Sequence, residues 1–170
     1  MRGSDQQLQE FQDFATTHGP RLFRTGLLLT GGDWHRAEDL VQTAFSKAFV
    51  AWGRVRRTDS PDAYVRTVLV RAHLSERRLR RSGERPVAEV PEGAYGEGDP
   101  TLRVALLGAL AQLPRKDRAV LVLRYWEDRS VEQTAAELGL RTGTVRNRSS
   151  SALAKLRVLL GSERDALTTT

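Results

Sequence analysis

The stretch from Leu113 to Leu160 has the pattern of two helices joined by a tight turn, and it constrains the fold more than any other segment. Ser130 followed by Gln133 predicts a capping box at the start of the first of these helices. Gly139 suits the turn because glycine adopts positive φ without a steric penalty. Thr142 can cap the second helix. We therefore predict a helix-turn-helix, in which apolar side chains at helical spacing face inward: Val145, Ala152, Leu156 and Leu159.

The first turns of that second helix carry polar side chains suited to base edges. In a helix-turn-helix these turns enter the major groove of DNA. Arginine binds guanine in a bidentate manner, and asparagine binds adenine in the same way. We predict the following residues as contacts to duplex DNA: Thr142, Thr144, Arg146, Asn147, Arg148, Ser150 and Ser151. A helical hairpin with a merely solvated polar face is the alternative.

Two basic blocks flank an acidic connector. The net charge of +6 favours an acidic partner, with nucleic acid ahead of an anionic membrane. Residues 82–100 contain three prolines and four glycines, and this composition predicts a flexible linker. The linker separates residues 5–81 from residues 101–162. Each block is too small for a large core, so we expect each to gain order from a partner.

Both blocks have helical patterns, so we predict an all-α chain of two small helical domains. In the first block, one apolar stripe ends at His18-Gly19-Pro20, and a second helix ends at Gly31-Gly32. Asp33 can cap a third helix, and Ser60 can cap a fourth that has Pro61 at its first position. In the second block, helices near 101–112 and 115–127 precede the helix-turn-helix.

A second basic constellation contains nine arginines between residues 54 and 81. Its opening loop places cations beside Trp52, and single-stranded DNA is bound by such combinations of stacking rings and positive charge. Further along, Tyr64, Thr67, Arg71 and Arg78 fall near one helical face and could extend the binding strip. The alternative is that Trp52 and Tyr64 are core aromatics and the arginines a solvated surface.

Other function classes lack support in the sequence. There is no cysteine, no apolar run of the roughly 20 residues that span a bilayer, and no apolar signal-peptide core, so we expect a cytoplasmic chain without membrane insertion. His18, His35 and His73 lie far apart, and the carboxylates do not have metal-ligand spacing. We therefore expect no enzymatic activity, no metal and no cofactor.

Three segments together resemble RNA polymerase sigma factors of the extracytoplasmic-function (ECF) type. They are AEDLVQTAFSKAFVAW (37–52), SPDAYVRTVLVRAHLSERRLRR (60–81) and LPRKDRAVLVLRYWEDRSVEQTAAELGLRTGTVRNR (113–148). The pattern Asp-Leu-Val-Gln, followed by Asp-Ala-Tyr-Val-Arg, is similar to the actinobacterial SigE subgroup. The resemblance covers residues 8–160. It implies a transcription initiation factor that binds core RNA polymerase, directs it to −35 and −10 promoter elements, and assists melting.

The resemblance also implies roles for particular residues. Asp39, Leu40 and Gln42 would bind the clamp helices of the largest polymerase subunit, with the flap as a further contact. The helix from Gly143 would read the −35 element, and the acidic linker would enter the active-site cleft. The chain would be a monomer when free, and an anti-sigma factor stays open as a partner. The −10 and melting residues would be Trp52, Arg54, Arg56, Arg57, Thr58, Asp59, Tyr64, Arg66, Thr67 and Arg71.

The recognition helix departs from its relatives, which often carry a bulky apolar residue and a further basic residue at Ser149 to Ser151. This departure leaves the promoter specificity open. One alternative is a helix-turn-helix regulator acting without core polymerase, although no dimer helix is visible and residues 37–81 would then be unexplained. Others are a nuclease, and a polymerase-binding protein whose serine-rich helix no longer reads DNA.

Overall fold

The computed structural model describes residues 2–76 and 99–168, and those residues form helices and turns with no strand. The N-terminal half consists of α1 (Arg2–Thr30), α2 (Trp34–Val50), α3 (Trp52–Val55) and α4 (Pro61–Ser75). The C-terminal half consists of α5 (Pro100–Ala111), α6 (Arg115–Leu121), a π-helical segment (Val122–Trp126), α7 (Val131–Leu138) and α8 (Thr142–Thr168). The all-α prediction is confirmed. Residues 77–98, which hold most of the predicted linker and Arg78, lie outside the described residues.

The first helix differs from its prediction, because α1 runs unbroken through His18-Gly19-Pro20. A proline inside a helix removes one hydrogen bond and costs about 3 kcal/mol. Packing offsets that cost: Phe14 before the proline and Leu22 after it both join the core. The two predicted helices are therefore one, and tertiary contacts override the local signal at Pro20.

The predicted helix starts are confirmed in the N-terminal half. The Asp33 carboxylate accepts a hydrogen bond from the Arg36 amide at 3.2 Å, and this contact caps α2. The Ser60 hydroxyl accepts from the Ala63 amide at 3.4 Å, with Pro61 as the first residue of α4. Between α1 and α2, Gly31 has a φ of 67° and Gly32 a φ of 92°.

In the C-terminal half, the helix predicted over 115–127 changes its hydrogen bonding after Leu121. From Val122 to Trp126 the bonds span five residues, and the Glu127 amide donates to the Val122 carbonyl at 2.9 Å. The Arg124 guanidinium then bonds the Arg129 carbonyl at 2.5 Å and bridges the corner before α7.

The two halves share one hydrophobic core. Leu29 and Leu69 from the N-terminal half belong to the same buried cluster as Leu110 and Leu123 from the C-terminal half. At Gly31 the backbones approach so closely that a Cβ there would lie 2.6 Å from the Ala111 Cβ. Each half is too small for a large core of its own. Packing against the other half of the same chain completes its core.

Candidate nucleic-acid interface

The helix-turn-helix forms as the sequence predicts. The Ser130 hydroxyl accepts from the Gln133 amide at 3.0 Å, and the Gln133 side chain accepts from the Ser130 amide at 2.9 Å. Gly139 ends α7 in the left-handed region, at φ 66°. A small cluster of Val120, Ala135 and Val145 holds the two helices together.

The predicted cap of α8 is off by one residue. Thr142 is already helical, and the Arg141 carbonyl accepts the first helical bond, from the Val145 amide at 3.0 Å. The shift does not alter which side chains the first turns present.

Most of the predicted −35 residues lie on the surface of α8. Thr142, Arg146, Asn147, Ser150 and Ser151 are exposed, whereas Thr144 and Arg148 are half-buried. The Arg148 guanidinium lies 2.9 Å from the Asp117 carboxylate, and the Arg146 guanidinium lies 3.6 Å from Glu132. Ser149 is buried, and its hydroxyl donates to the Val145 carbonyl at 2.7 Å. Of the three serines, Ser149 therefore packs inward, while its two successors remain available to DNA.

Trp52 does not offer its ring to DNA. Its side chain is only 6 % exposed, and its ring lies 5.3 Å from that of Phe11 and 5.1 Å from that of Phe14, between centroids. The prediction of Trp52 as a direct contact is thus corrected: it is a core aromatic that packs α3 against α1.

The segment from α3 to the start of α4 presents its charges to solvent. Arg54, Arg57, Thr58 and Asp59 are exposed. The Arg54 guanidinium donates to the Tyr64 hydroxyl at 3.2 Å and lies 6.0 Å from the centre of that ring.

Other members of this basic surface already have partners. The Arg56 guanidinium forms a 2.9 Å ion pair with Glu10 of α1. On α4, Thr67 is half-buried and Arg71 is exposed, with the Arg71 Nε 3.5 Å from the Glu137 carbonyl oxygen.

Arg66 departs furthest from the prediction of an open DNA-binding face. It is 8 % exposed, and its guanidinium nitrogens lie 3.3 Å from the Glu137 carboxylate and 3.8 Å from the Glu127 carboxylate. Sequence reasoning missed both glutamates, and no local signal marks them, since Glu137 is 71 residues away from Arg66.

The residues predicted to bind polymerase divide between surface and core. Asp39 and Gln42 are exposed and line a shallow surface hollow with Thr43, Ser46 and Lys47. Leu40 is 2 % exposed and belongs to the hydrophobic core. The prediction of Leu40 as a contact is corrected, because its side chain packs the helix that carries the other two.

A second contact between the halves lies where α4 ends. The Arg115 guanidinium donates to the His73 carbonyl at 3.2 Å and also to the Glu76 carbonyl. The Glu76 carboxylate in turn lies 2.6 Å from Arg36. His73 is fully buried here, and burial lowers its pKa to about 3, with the positive charges of Arg118, Arg36 and Arg115 acting in the same direction.

The described residues hold neither a metal-binding cluster nor a membrane-spanning helix. Residues 2–76 and 99–168 contain no group of three or more His, Cys, Asp and Glu side chains that could hold a metal ion. Among the helices of that same part of the chain, none has the length and apolarity needed to cross a bilayer.

Comparisons with known proteins agree with this architecture. The family profile "Sigma-70 region 2" matches residues 14–83, and "Sigma-70, region 4" matches residues 109–158. The RNA polymerase sigma-E factor of Streptomyces coelicolor is 35% identical, over 87% of this chain and 84% of its own. The ECF RNA polymerase sigma factor SigM of Mycobacterium tuberculosis is 32% identical, over 89% of this chain and 77% of its own.

A solved structure has a similar fold. The sigma factor RpoE of Bartonella quintana, crystallised with the anti-sigma factor NepR, matches with a TM-score of 0.67 and 25% identity. The match covers 90% of this chain and 98% of that one. The chain belongs to the sigma-70 family, among the extracytoplasmic-function RNA polymerase sigma factors, and is a transcription initiation factor rather than an enzyme.

Proposed function

We propose that the chain reads the −35 element as duplex DNA with the first turns of α8. The observation that carries this proposal is the exposure of Arg146 and Asn147 on a complete helix-turn-helix. Both can bind base edges, while Thr142, Ser150 and Ser151 can bind phosphate or either base type.

The −10 element would be bound by α3, by the loop after it and by α4. Arg54, Arg57, Thr58 and Asp59 are exposed there, and the half-buried Tyr64 lies beside Arg54. Thr67 and Arg71 continue the surface along α4. Cations beside an aromatic suit a melted strand, because they combine phosphate attraction with base stacking.

Core RNA polymerase would bind α2 through its largest-subunit clamp helices, and the flap would bind the C-terminal half. Asp39 and Gln42 support the first contact, since both are exposed on one face of α2. We place the chain in the cytoplasm with the polymerase, as a monomer when free. An anti-sigma partner is supported by the sigma factor of Bartonella quintana, which was crystallised with one. No observation favours a regulator that acts without core polymerase.

The decisive experiment is transcription in vitro from a promoter library, with core polymerase from a matched host and with or without this chain. New start sites should share spaced −35 and −10 elements. Arg146→Ala should reduce initiation from them by about fivefold to 150-fold, because a lost base contact costs about 1–3 kcal/mol.

Arg157→Ala is the matched control, because Arg157 is exposed on the same helix but lies beyond its first turns. It should keep nearly full initiation. Equal losses of initiation in the two variants would indicate that α8 contributes only non-specific positive charge. Duplex binding without any transcript would instead favour the simple regulator.

A further inference from the structure

Three arginines meet where the end of α4 lies against α6, and among the described residues one carboxylate pairs with them. The Arg36 guanidinium donates to the Glu76 carboxylate through Nη2 at 2.6 Å and through Nε at 3.2 Å. The Arg115 guanidinium donates to the main-chain carbonyls of His73 and Glu76. Arg118 follows Arg115 by one helical turn, so these two side chains share a face of α6. We call Arg36, Glu76, Arg115 and Arg118 the junction cluster.

Arg118 is the member of the junction cluster that lacks a counter-charge. It is 8% exposed, and its Nε has no hydrogen-bond partner among the described residues. Burial lowers its pKa to about 10, and the positive charges of Arg36 and Arg115 act in the same direction. The preceding residue, Asp117, pairs with Arg148 instead, at 2.9 Å. Buried charges are ordinarily paired, because their removal from water is costly, so this guanidinium is suited to an anionic partner.

The His73 ring is a second buried polar group at the same place. It is fully buried, and within the part of the chain that the structure describes neither ring nitrogen has a hydrogen-bond partner. Burial lowers its pKa to about 3, and Arg118 is the cation that adds most to that shift. A neutral imidazole donates one hydrogen bond. An acceptor bound to Arg118 can therefore also bind His73.

The charge of the junction cluster indicates the kind of anion. Its three guanidiniums and one carboxylate leave two positive charges uncompensated among the described residues. A phosphoryl group carries about −1.5 to −2 charges at pH 7, and guanidiniums bind its oxygens in a bidentate manner. Arg36 and Arg115 are half-buried, whereas Arg118 is buried. A terminal phosphoryl group suits this depth better than the phosphodiester of a nucleic acid, which carries a nucleotide on each side.

We propose that Arg36, Arg115 and Arg118 bind a phosphoryl group, supplied either as free phosphate or as the terminal group of a nucleotide. Arg118 is the buried end of the site, and the two half-buried arginines are its solvent side. Glu76 competes with the ligand for Arg36. The site is separate from the proposed promoter contacts, because none of its residues belongs to them. Its ligand should stabilise the folded chain, since the cluster forms only when α2, α4 and α6 come together.

The first pair of full-chain variants tests the buried arginine. Arg118→Met removes the guanidinium and keeps an unbranched side chain of similar length. Arg157→Met is the matched control, because it removes an exposed arginine from the same half of the chain. Circular dichroism verifies that both variants stay helical.

The second pair tests the competing carboxylate. Glu76→Gln removes its charge from Arg36, and Glu10→Gln removes the charge of a carboxylate that pairs with Arg56 at 2.9 Å. The two ion pairs are closely matched: the side chains of Arg56 and Glu10 are 31% and 34% exposed, against 30% and 32% for Arg36 and Glu76. A difference between E76Q and E10Q therefore reports on the site and not on the loss of one negative charge.

Affinity is measured by titration calorimetry with inorganic phosphate, and separately with ADP, at constant ionic strength. The wild type should bind phosphate at one saturable site, and its Tm should rise by roughly 5–10 °C at a hundredfold excess over Kd. R118M should bind about tenfold more weakly or worse, because hydrogen bonds to a charge are lost, whereas R157M should change by less than about twofold.

E76Q should bind phosphate about twofold to fivefold more tightly than the wild type, because an exposed ion pair no longer competes, and E10Q should not. Tighter binding of ADP than of phosphate identifies a nucleotide as the source of the phosphoryl group. Equal or weaker binding of ADP identifies free phosphate.

The proposal is overturned if the wild type shows no saturable binding of phosphate, or if R118M and R157M lose the same affinity. It is also overturned if the rise in Tm persists in R118M, since exclusion of phosphate from the protein surface would then account for it. Should R118M fail to fold, equal phosphate affinity in E76Q and E10Q overturns the proposal.

One further variant excludes an internal ligand. It carries glutamine at the four glutamates of the acidic linker: Glu84, Glu89, Glu92 and Glu97. Its affinity for phosphate should equal that of the wild type. Phosphate binding that occurs only in this variant would mean that carboxylates of the chain itself occupy the junction cluster, and the proposal would fail.

Discussion

The His73 side chain is buried where the two halves meet, and its pKa depends on that burial. Neither of its ring nitrogens has a hydrogen-bond partner among the residues that the structure describes, and the positive charges of Arg118, Arg36 and Arg115 act on it. The folded pKa of about 3 lies below the ordinary value of 6.5, so the unfolded chain binds the proton first. His73 therefore supports the fold fully above pH 6.5, and that support is lost as the pH falls toward 3.

The pH dependence can be measured by urea unfolding. Between pH 6.5 and pH 5 the free energy of unfolding should fall by up to about 2 kcal/mol through His73 alone, at about 1.4 kcal/mol per pH unit. His73→Gln, which cannot titrate, should lack this component while keeping the rest of the profile. Identical pH profiles in the two proteins would show that His73 can be protonated without opening the junction.

At the level of single elements, the helix-turn-helix contains two glycines with different backbone conformations, one in the turn and one in α8. Gly139 has positive φ, whereas Gly143 lies inside α8. Beyond the chain neighbours and the helix backbone, a Cβ at either position would have no atom of the described residues within 4 Å. Gly139→Ala should cost about 1 kcal/mol of stability, because an L-residue is strained in the left-handed region. Gly143→Ala should instead stabilise by about 0.5–1 kcal/mol, because alanine favours a helix.

Thermal unfolding compares the Tm values of the two alanine variants. The substitution is the same in both, and the two sites differ in backbone conformation. Opposite shifts in Tm are expected. Destabilisation by Gly143→Ala would indicate that residue 143 adopts a backbone conformation that alanine does not favour.

The helix ends were predictable because their causes are local. Asp33, Ser60 and Ser130 each bond an amide three residues ahead, so the signal and its effect lie within one turn. Pro20 misled for the opposite reason: its local penalty is outweighed by Phe14 and Leu22, whose packing partners are distant in sequence.

At the scale of the whole molecule, the sequence predicts two blocks but not their contact. Arg66 pairs with Glu137 of the other half, and nothing near Arg66 in the sequence identifies that partner. Within the N-terminal half, the Glu10 partner of Arg56 is likewise distant in sequence. Trp52 and Leu40 were misplaced on the surface for a related reason, since aromatic and apolar residues beside charges fit a binding site and a core equally well.

Separation of the two halves should be measurable by fluorescence energy transfer between dyes placed on them. The chain has no cysteine, so Thr17→Cys with Ser162→Cys places one dye on each half at exposed positions. Transfer should be high in the free chain and should fall when core polymerase and promoter DNA are added, because two elements separated along the duplex draw the two halves apart. Unchanged transfer in an active promoter complex would mean that the halves stay together on DNA.

The ion pairs of Arg66 and Arg56 within the chain bear on how strongly it binds DNA outside promoters. A bacterial cell offers about 10⁶ or more irrelevant sites for every true one. Free cations would leave the chain trapped on this bulk nucleic acid, but here these two are matched by Glu127, Glu137 and Glu10. We therefore expect Arg66 and Arg56 to add less to non-specific DNA binding than the exposed Arg54 and Arg57 do.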